Sequence, residues 1–404
     1  MLDALTDAAA LGSLTVDSMP SNKKHHFVPR FYLRRFSPDG ASINLYNIPS
    51  SRKVLCANLK NQACRDYFYG KELVVEHAIG SLEAEAATVL RKIDEYQSLP
   101  PPFSPDHVML VHHLVMQQAR TEYEAEAMNE INDAMVQRFL GPEMAAKGID
   151  LTKFKVNLAE PAAVAVSIAS RISPLAMDLH YKLLIDQTGQ GFITSDNPVV
   201  ACNPLLSFRT FGSNCGLASK GLQLYFPIDP KKLIVFYDGA VYRVGPSDGI
   251  AIKITNPADI HAINTLQMVS ASENIYFNGE NLDVAALHRK AKPHFRTRKT
   301  RFRVMNEKDT PSDRTEIIAS SREDVRTNLS LTFVSLRTAM KKWREIARRQ
   351  RVQPAAEVRN APLVEAFREF EEEVRQGRSQ PTDFLQGLVE AHRRRYRSDP
   401  EPSD

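Results

Sequence analysis

Only four cysteines, Cys56, Cys64, Cys202 and Cys215, occur in 404 residues. No two of them form C-x-x-C, which excludes zinc ribbons and thioredoxin-type redox motifs. So few thiols in so long a chain also argue against a disulfide framework, and all four read as reduced, mostly packed side chains. No run approaches the roughly 18 apolar residues of a membrane span. The opening MLDALTDAAALGSLTVDSMP carries acids where a secretory signal carries basic residues. Residues 1–20 are therefore expected to be a loosely ordered leader, and the chain is expected to be cytoplasmic with no membrane partner. G-x-x-x-x-G-K-[ST], G-x-G-x-x-G, H-E-x-x-H and G-x-S-x-G are all missing. ATP-driven, Rossmann, zincin and nucleophile-elbow chemistries lose their sequence support with them.

What is present is a globular composition. Hydrophobic residues make up 43% and charged residues 25%, the latter close to the usual share of about 25%. A net charge of +4 is too mild to imply nucleic acid, but the basic residues gather late in the chain. The opening after the leader, KHHFVPRFYLRRF, is aromatic and basic. ASINLYNIPSSRKVLCANLK alternates apolar and polar residues around Pro49-Ser50-Ser51, which predicts a hairpin. Residues 74–97 place Val75, Ile79, Leu82, Ala86, Leu90 and Ile93 on one helical stripe. Pro100-Pro101-Pro102 ends that helix. Ser104-Pro105-Asp106 starts a longer one over about 105–140, which Gly141-Pro142 is expected to stop.

Residues 158–178 are Ala-rich and expected to be helical. YKLLID, GFITSD, LQLYFPID, KLIVFYD and NIYFNG read as strands. Residues 256–271 read as a helix, although Ile260, Ile263, Leu266 and Val269 recur every three positions, a step that drifts around a 3.6-residue turn. A strand pair is expected at 301–305 and 315–319, and three charged helices between 322 and 397. The predicted fold is α+β, with residues 21–320 as a mixed core and 321–404 as a basic helical region.

HHFVPRFYLRRF resembles the opening His-aromatic-Val-Pro-x-Phe-Leu motif of domain-of-unknown-function family 4238, with Tyr32 inserted between Phe31 and Leu33. QQART (117–121), FITSDNPV (192–199) and AINTLQMVSASENIYFN (262–278) are similar to later segments of that family. The resemblance covers about residues 22–280 and implies no reaction.

The chemistry has to be read from the residues. His26, favoured over His25 by its place in the motif, could ligate a metal or act as acid or base; alternatively its ring braces packed aromatics. Ser195, Asp196 and Asn197 end an apolar strand, where Asp196 could hold a metal and Asn197 orient a phosphate; alternatively they form an Asx-turn closed by Pro198. His113, Gln117, Arg120 and Glu124 fall on one helical face, where Gln117 or Gln118 with Arg120 could bind an anion; alternatively the face is solvated, with an Arg120–Glu124 pair. Glu83 and Glu85 are two apart and do not face each other, so a surface role is expected, or one of them joins a site across helices.

Arg289, Lys290, Lys292, Arg296, Arg298, Lys299, Arg301 and Arg303 bracket His294 and Phe295 without an intervening acid. Lys341, Lys342 and Arg344 flank Trp343, and Arg393–Arg395 precede Tyr396. Basic clusters with interleaved aromatics suit phosphate contacts and base stacking; otherwise they are solvated helix faces. The expected function is a metal-assisted phosphodiester hydrolase acting on nucleic acid or nucleotides, of a kind that could serve in microbial defence. His26 and Asp196 would hold a divalent ion, Arg120, Gln117, Ser195 and Asn197 would contact substrate, and His26, Arg120 and Asp196 would share one pocket. The alternative is a non-catalytic nucleic-acid or protein-binding module in which the same motifs serve structure.

Overall fold

The computed structural model describes residues 23–209, 213–247, 249, 251–279, 282–296, 300–306, 316–321, 323–325, 329–349 and 357–398. The expected leader, Arg298 and Lys299 lie outside these residues. The fold is α+β. A five-stranded sheet stands at its centre, in the order β11 (Ala251–Ile254), β5 (His180–Asp186), β9 (Lys232–Tyr237), β8 (Gln223–Asp229) and β7 (Val200–Cys202). Only the β11–β5 pair is parallel. The apolar run KLIVFY shows why the sheet is central. Ile234 and Phe236 enter one hydrophobic cluster while Leu233, Val235 and Tyr237 enter the other. Successive side chains alternate faces, so a strand apolar at every position must be covered on both.

One face is covered by α1 (Arg30–Arg34), α2 (Val74–Tyr96), α3 (Pro105–Ala119) and α5 (Pro161–Ile172), which contribute Leu33, Leu90, Leu114 and Val166 to its cluster. The other is covered by α6 (Pro257–Ser270) and α7 (Val284–Ala291) through Ile260, Met268 and Leu287. A second sheet, β3 (Arg52–Asn58), β2 (Ser42–Asn47), β12 (Asn274–Phe277) and β6 (Thr194–Ser195), ties the N-terminal hairpin to the centre of the chain. The short pair β1 (Lys24–His26) and β4 (Cys64–Asp66) lies beside it. The expected hairpin around Pro49-Ser50-Ser51 is β2–β3, and the late strand pair is β13 (Arg301–Asn306) with β14 (Glu316–Ser321).

The structure departs from expectation at three places. The long helix over 105–140 is two helices, because Arg120 closes α3 and Thr121 caps α4 (Glu122–Ala146) by accepting from the Glu124 amide. Pro142 lies inside α4, which continues to Ala146. The chain after residue 321 also contributes to the core: β15 (Val334–Leu336) pairs with β10 (Tyr242–Val244), and Leu331 and Trp343 pack on the second cluster. The following helices α8 (Thr338–Arg349), α9 (Ala361–Arg375) and α10 (Asp383–Ser398) close the chain. Arg359, ahead of α9, clamps Asp178 at 2.6 Å, and His392 of α10 stacks on Phe103. Among the described residues no helix is long and apolar enough to cross a membrane.

Three buried histidines line α3. Burial lowers the pKa of His107 and His112 to about 4 and that of His113 to about 3. His113 sits between Phe31 and Phe226, and its Nε2 has no hydrogen-bond partner among the described residues. A folded-state pKa below the unfolded value of about 6.5 stabilises the fold fully above that pH and progressively less as pH falls toward the folded value. Urea unfolding is therefore expected to show stability falling between pH 6.5 and 4, by up to about 1.4 kcal/mol per pH unit for each buried histidine. His113→Phe keeps the aromatic packing and removes one titrating group, so its profile should be shallower. A variant profile parallel to that of the wild type would show that His113 carries no part of the acid sensitivity.

Candidate functional site

The motif segments meet inside the protein, and side-chain hydrogen bonds join them. In the first motif, Tyr32 Oη donates to the Pro227 carbonyl at 2.6 Å and lies 2.7 Å from Thr194 Oγ1, which brings KHHFVPRFYLRRF onto the FITSDNPV segment. Gln117 Nε2 donates to the Phe27 carbonyl at 3.0 Å. Arg120 donates from Nη2 to the His26 carbonyl at 2.6 Å, from Nε to Tyr69 Oη at 2.9 Å and from Nη1 to Glu83 Oε1 at 2.7 Å. These bonds explain the placement of Gln117 and Arg120, while His113 is held by packing between Phe31 and Phe226. The sequence reads them as a polar outer face, but all three are buried, because Gln117 and Arg120 find their partners inside. The ion-pair partner of Arg120 is Glu83 across the helices, not Glu124 one turn along.

The Ser195-Asp196-Asn197 turn is held from the other side by α6 and the residues after it. Ser195 Oγ accepts from Gln267 Nε2 at 2.6 Å and from the Asn197 amide at 3.0 Å. Asn197 Nδ2 donates to the Ser270 carbonyl and to Ser270 Oγ, both at 3.1 Å. The Asp196 carboxylate accepts three backbone amides, from Ser272 at 2.8 Å, Glu273 at 2.6 Å and Asn274 at 2.8 Å. Burial raises the pKa of Asp196, and those three donors pull it back. The drifting three-residue pattern of α6 follows from the same packing. Asn264, Gln267 and Ser270 are as buried as its isoleucines and spend their polar groups on the turn and the preceding strand.

His25 and His26 part company at β1. His25 is fully buried, stacks on Tyr69 and accepts the Tyr69 amide through Nδ1 at 3.2 Å. The His26 ring lies 3.3 Å from the Lys60 carbonyl, and burial lowers its pKa to about 4. The imidazole of His26 is neutral at pH 7, the form a metal needs. Among the described residues, however, no three His, Cys, Asp or Glu side chains are placed to hold an ion. His26, Arg120 and Asp196 line none of the described cavities. Each of the three makes hydrogen bonds to backbone: His26 with the Lys60 carbonyl, Arg120 with the His26 carbonyl and Asp196 with three amides.

A cavity of about 290 Å³ opens where the motifs end. Gln118, from QQART, and Asn197 and Ser270, from the later motifs, stand in its wall with Tyr123, Glu124 and Arg296. Ser213, Thr300, Glu323 and Asp324 also line it. The Arg296 guanidinium lies 4.6 Å from the centre of the Tyr123 ring and donates to the Ser270 carbonyl at 3.2 Å. Cys215 is also in the wall, but burial pushes its thiol well above the usual range, so it is no nucleophile at neutral pH. The site therefore offers carboxamides, carboxylates and one guanidinium around a small space. Of the residues singled out in the sequence, Gln118, Glu124, Asn197 and Arg296 line it. Tyr123, Ser270, Glu323 and Asp324 were not read as site residues, although Ser270 lies in a segment recognised by resemblance.

A family model described as a protein of unknown function, DUF4238, matches residues 24–281. This chain belongs to the DUF4238 family. No curated protein and no solved structure matches it. The matched span holds every bond of the motif network, and the cavity lies at its border: Gln118, Asn197 and Ser270 belong to the DUF4238 span, whereas Arg296, Glu323 and Asp324 follow it.

The bonding of Asp196 leads to a direct test. Asp196→Asn keeps the shape of the side chain but sets an NH2 group against backbone N–H donors. It is expected to cost about 1–3 kcal/mol of stability, read as a lower urea midpoint. A midpoint equal to that of the wild type would show that the amides do not depend on the negative charge.

Proposed function

We propose that this DUF4238 protein is a nucleic-acid-binding module that seats one nucleotide unit in the cavity beside Tyr123, with basic segments holding the phosphates. One observation carries the reading: Arg296, from the basic stretch after α7, shares a cavity wall with Gln118 and Asn197 of the family motifs. Carboxamides and carboxylates pair with base edges, and a guanidinium either holds phosphate or stacks on a base. Lys341 and Lys342 are exposed on α8 and Arg344 is half-buried there, while Met340 and Trp343 turn toward the core. Trp343 is thus a packing residue. Phe295, stacked on His288, is another. The basic segments accordingly act through phosphate rather than through base stacking. Arg301 and Arg303 follow Arg296 along β13.

The hydrolytic reading, with a divalent ion on His26 and Asp196 and a role in microbial defence, has weaker support, because the polar atoms it needs are already bonded to backbone. Binding of labelled single-stranded and duplex DNA and RNA, followed by fluorescence anisotropy over a salt series, separates the two. The binding module predicts affinity that falls steeply with salt, a loss of about tenfold in Arg296→Ala, and a shallower salt slope when Lys341 and Lys342 are both replaced by Ala. No binding at low salt would overturn it. Divalent-ion-dependent cleavage by wild type that disappears in folded Asp196→Asn would restore the hydrolase.

A further inference from the structure

A larger cavity, of about 520 Å³, shares no lining residue with the one beside Tyr123. Pro257, His261 and Thr265 of α6 line it. Lys290 from α7, His294 just after it and Gln190 line it as well. Two imidazoles and an ammonium thus border one space, and among the described residues no carboxylate lines it. Asp259, the acid of the first turn of α6, is turned away: it is buried, and its two oxygens accept from the amide and hydroxyl of Thr332 at 2.9 and 2.5 Å. The Thr265 hydroxyl donates to the His261 carbonyl at 2.8 Å, so it offers the cavity only lone pairs. His261 Nε2 is buried and has no hydrogen-bond partner among the described residues.

Burial, and after it the nearby Lys290 ammonium, lowers the pKa of His261. An anion in the cavity would pair with that ammonium and give the unpartnered ring nitrogen of His261 an acceptor. The space exceeds the volume of a bare phosphate, which leaves room for a group attached to it. We propose that this cavity binds a phosphomonoester, with Lys290, His261 and His294 on the phosphoryl oxygens. The site is separate from the cavity beside Tyr123 and does not depend on nucleic-acid binding there.

The test uses the full chain and three probes that are not nucleotides: inorganic phosphate, glucose 6-phosphate and glucose. Binding is read by isothermal titration and by the rise in melting temperature against chloride of matched ionic strength. The phosphomonoester is expected to bind and glucose not to, with the phosphomonoester tighter than inorganic phosphate because it also fills the remaining space. Lys290→Ala and His261→Gln, made singly so that one folded variant suffices, should each weaken the phosphomonoester by about tenfold or more, as expected when a charged hydrogen-bond partner is lost. Equal binding of glucose and its phosphate would overturn the proposal. So would inorganic phosphate binding as tightly as the phosphomonoester, or undiminished binding in both folded variants.

Discussion

A buried guanidinium must have its donors met, because one left unpaired away from water costs several kcal/mol. Arg120 meets that demand with a carbonyl from β1, a phenol from Tyr69 and a carboxylate from α2. Three segments distant in sequence are thereby held against the end of α3. The chain turns at this same residue, and Thr121 restarts the helix. That turn sets the direction of α4, and α4 carries Tyr123 and Glu124 into the cavity wall. The position of the candidate site is thus a consequence of how Arg120 is satisfied, although Arg120 itself never reaches it.

The same division runs through the motif set. Gln117 braces the Phe27 carbonyl while its neighbour Gln118 faces the cavity. Asp196 is taken up by amides while the next residue, Asn197, stands at the border with its amide group on Ser270. Adjacent residues in a motif therefore have unlike tasks, one tying the segments together and the other lining the space they enclose.

Much of the fold was legible in the sequence because its signals are local. The stripe from Val75 to Ile93, the turn at Pro49-Ser50-Ser51 and the continuous apolar runs of β8 and β9 each state their own structure. The break at Arg120 was missed although a local signal exists: Thr121-Glu122-Tyr123-Glu124 has the spacing of a capping box, and Thr121 is the N-cap of α4. The apolar and polar pattern on either side runs on without interruption and hides it. The site was legible only in part for a different reason. A sequence shows which residues can do chemistry but not which of their polar atoms are already bonded. Asp196 and His26 looked available and are engaged with backbone. Ser270 and Tyr123 looked ordinary, and they stand in the cavity wall where the segments converge.

This accounting also weighs on the choice between binding and hydrolysis. A carboxylate that accepts three amides at 2.6–2.8 Å holds the Ser272–Asn274 turn in place, and that turn leads directly into β12, a middle strand of the second sheet. Recruiting Asp196 to a metal would trade those bonds for ion contacts and loosen the register of β12 against β2 and β6. His26 could move to an ion at less cost, since its ring has one long bond to the Lys60 carbonyl, but a single imidazole does not make a catalytic metal site. Under the proposed binding at the cavity beside Tyr123, the bonds exchanged would be those of its wall, where Asn197 Nδ2 and the Arg296 guanidinium both donate to the Ser270 carbonyl. The amides on Asp196 and the bonds of Arg120 would stay in place beneath it. Rigid support under a small polar space is what selective recognition requires, and here the family motifs supply the support while the segment after them supplies the charge.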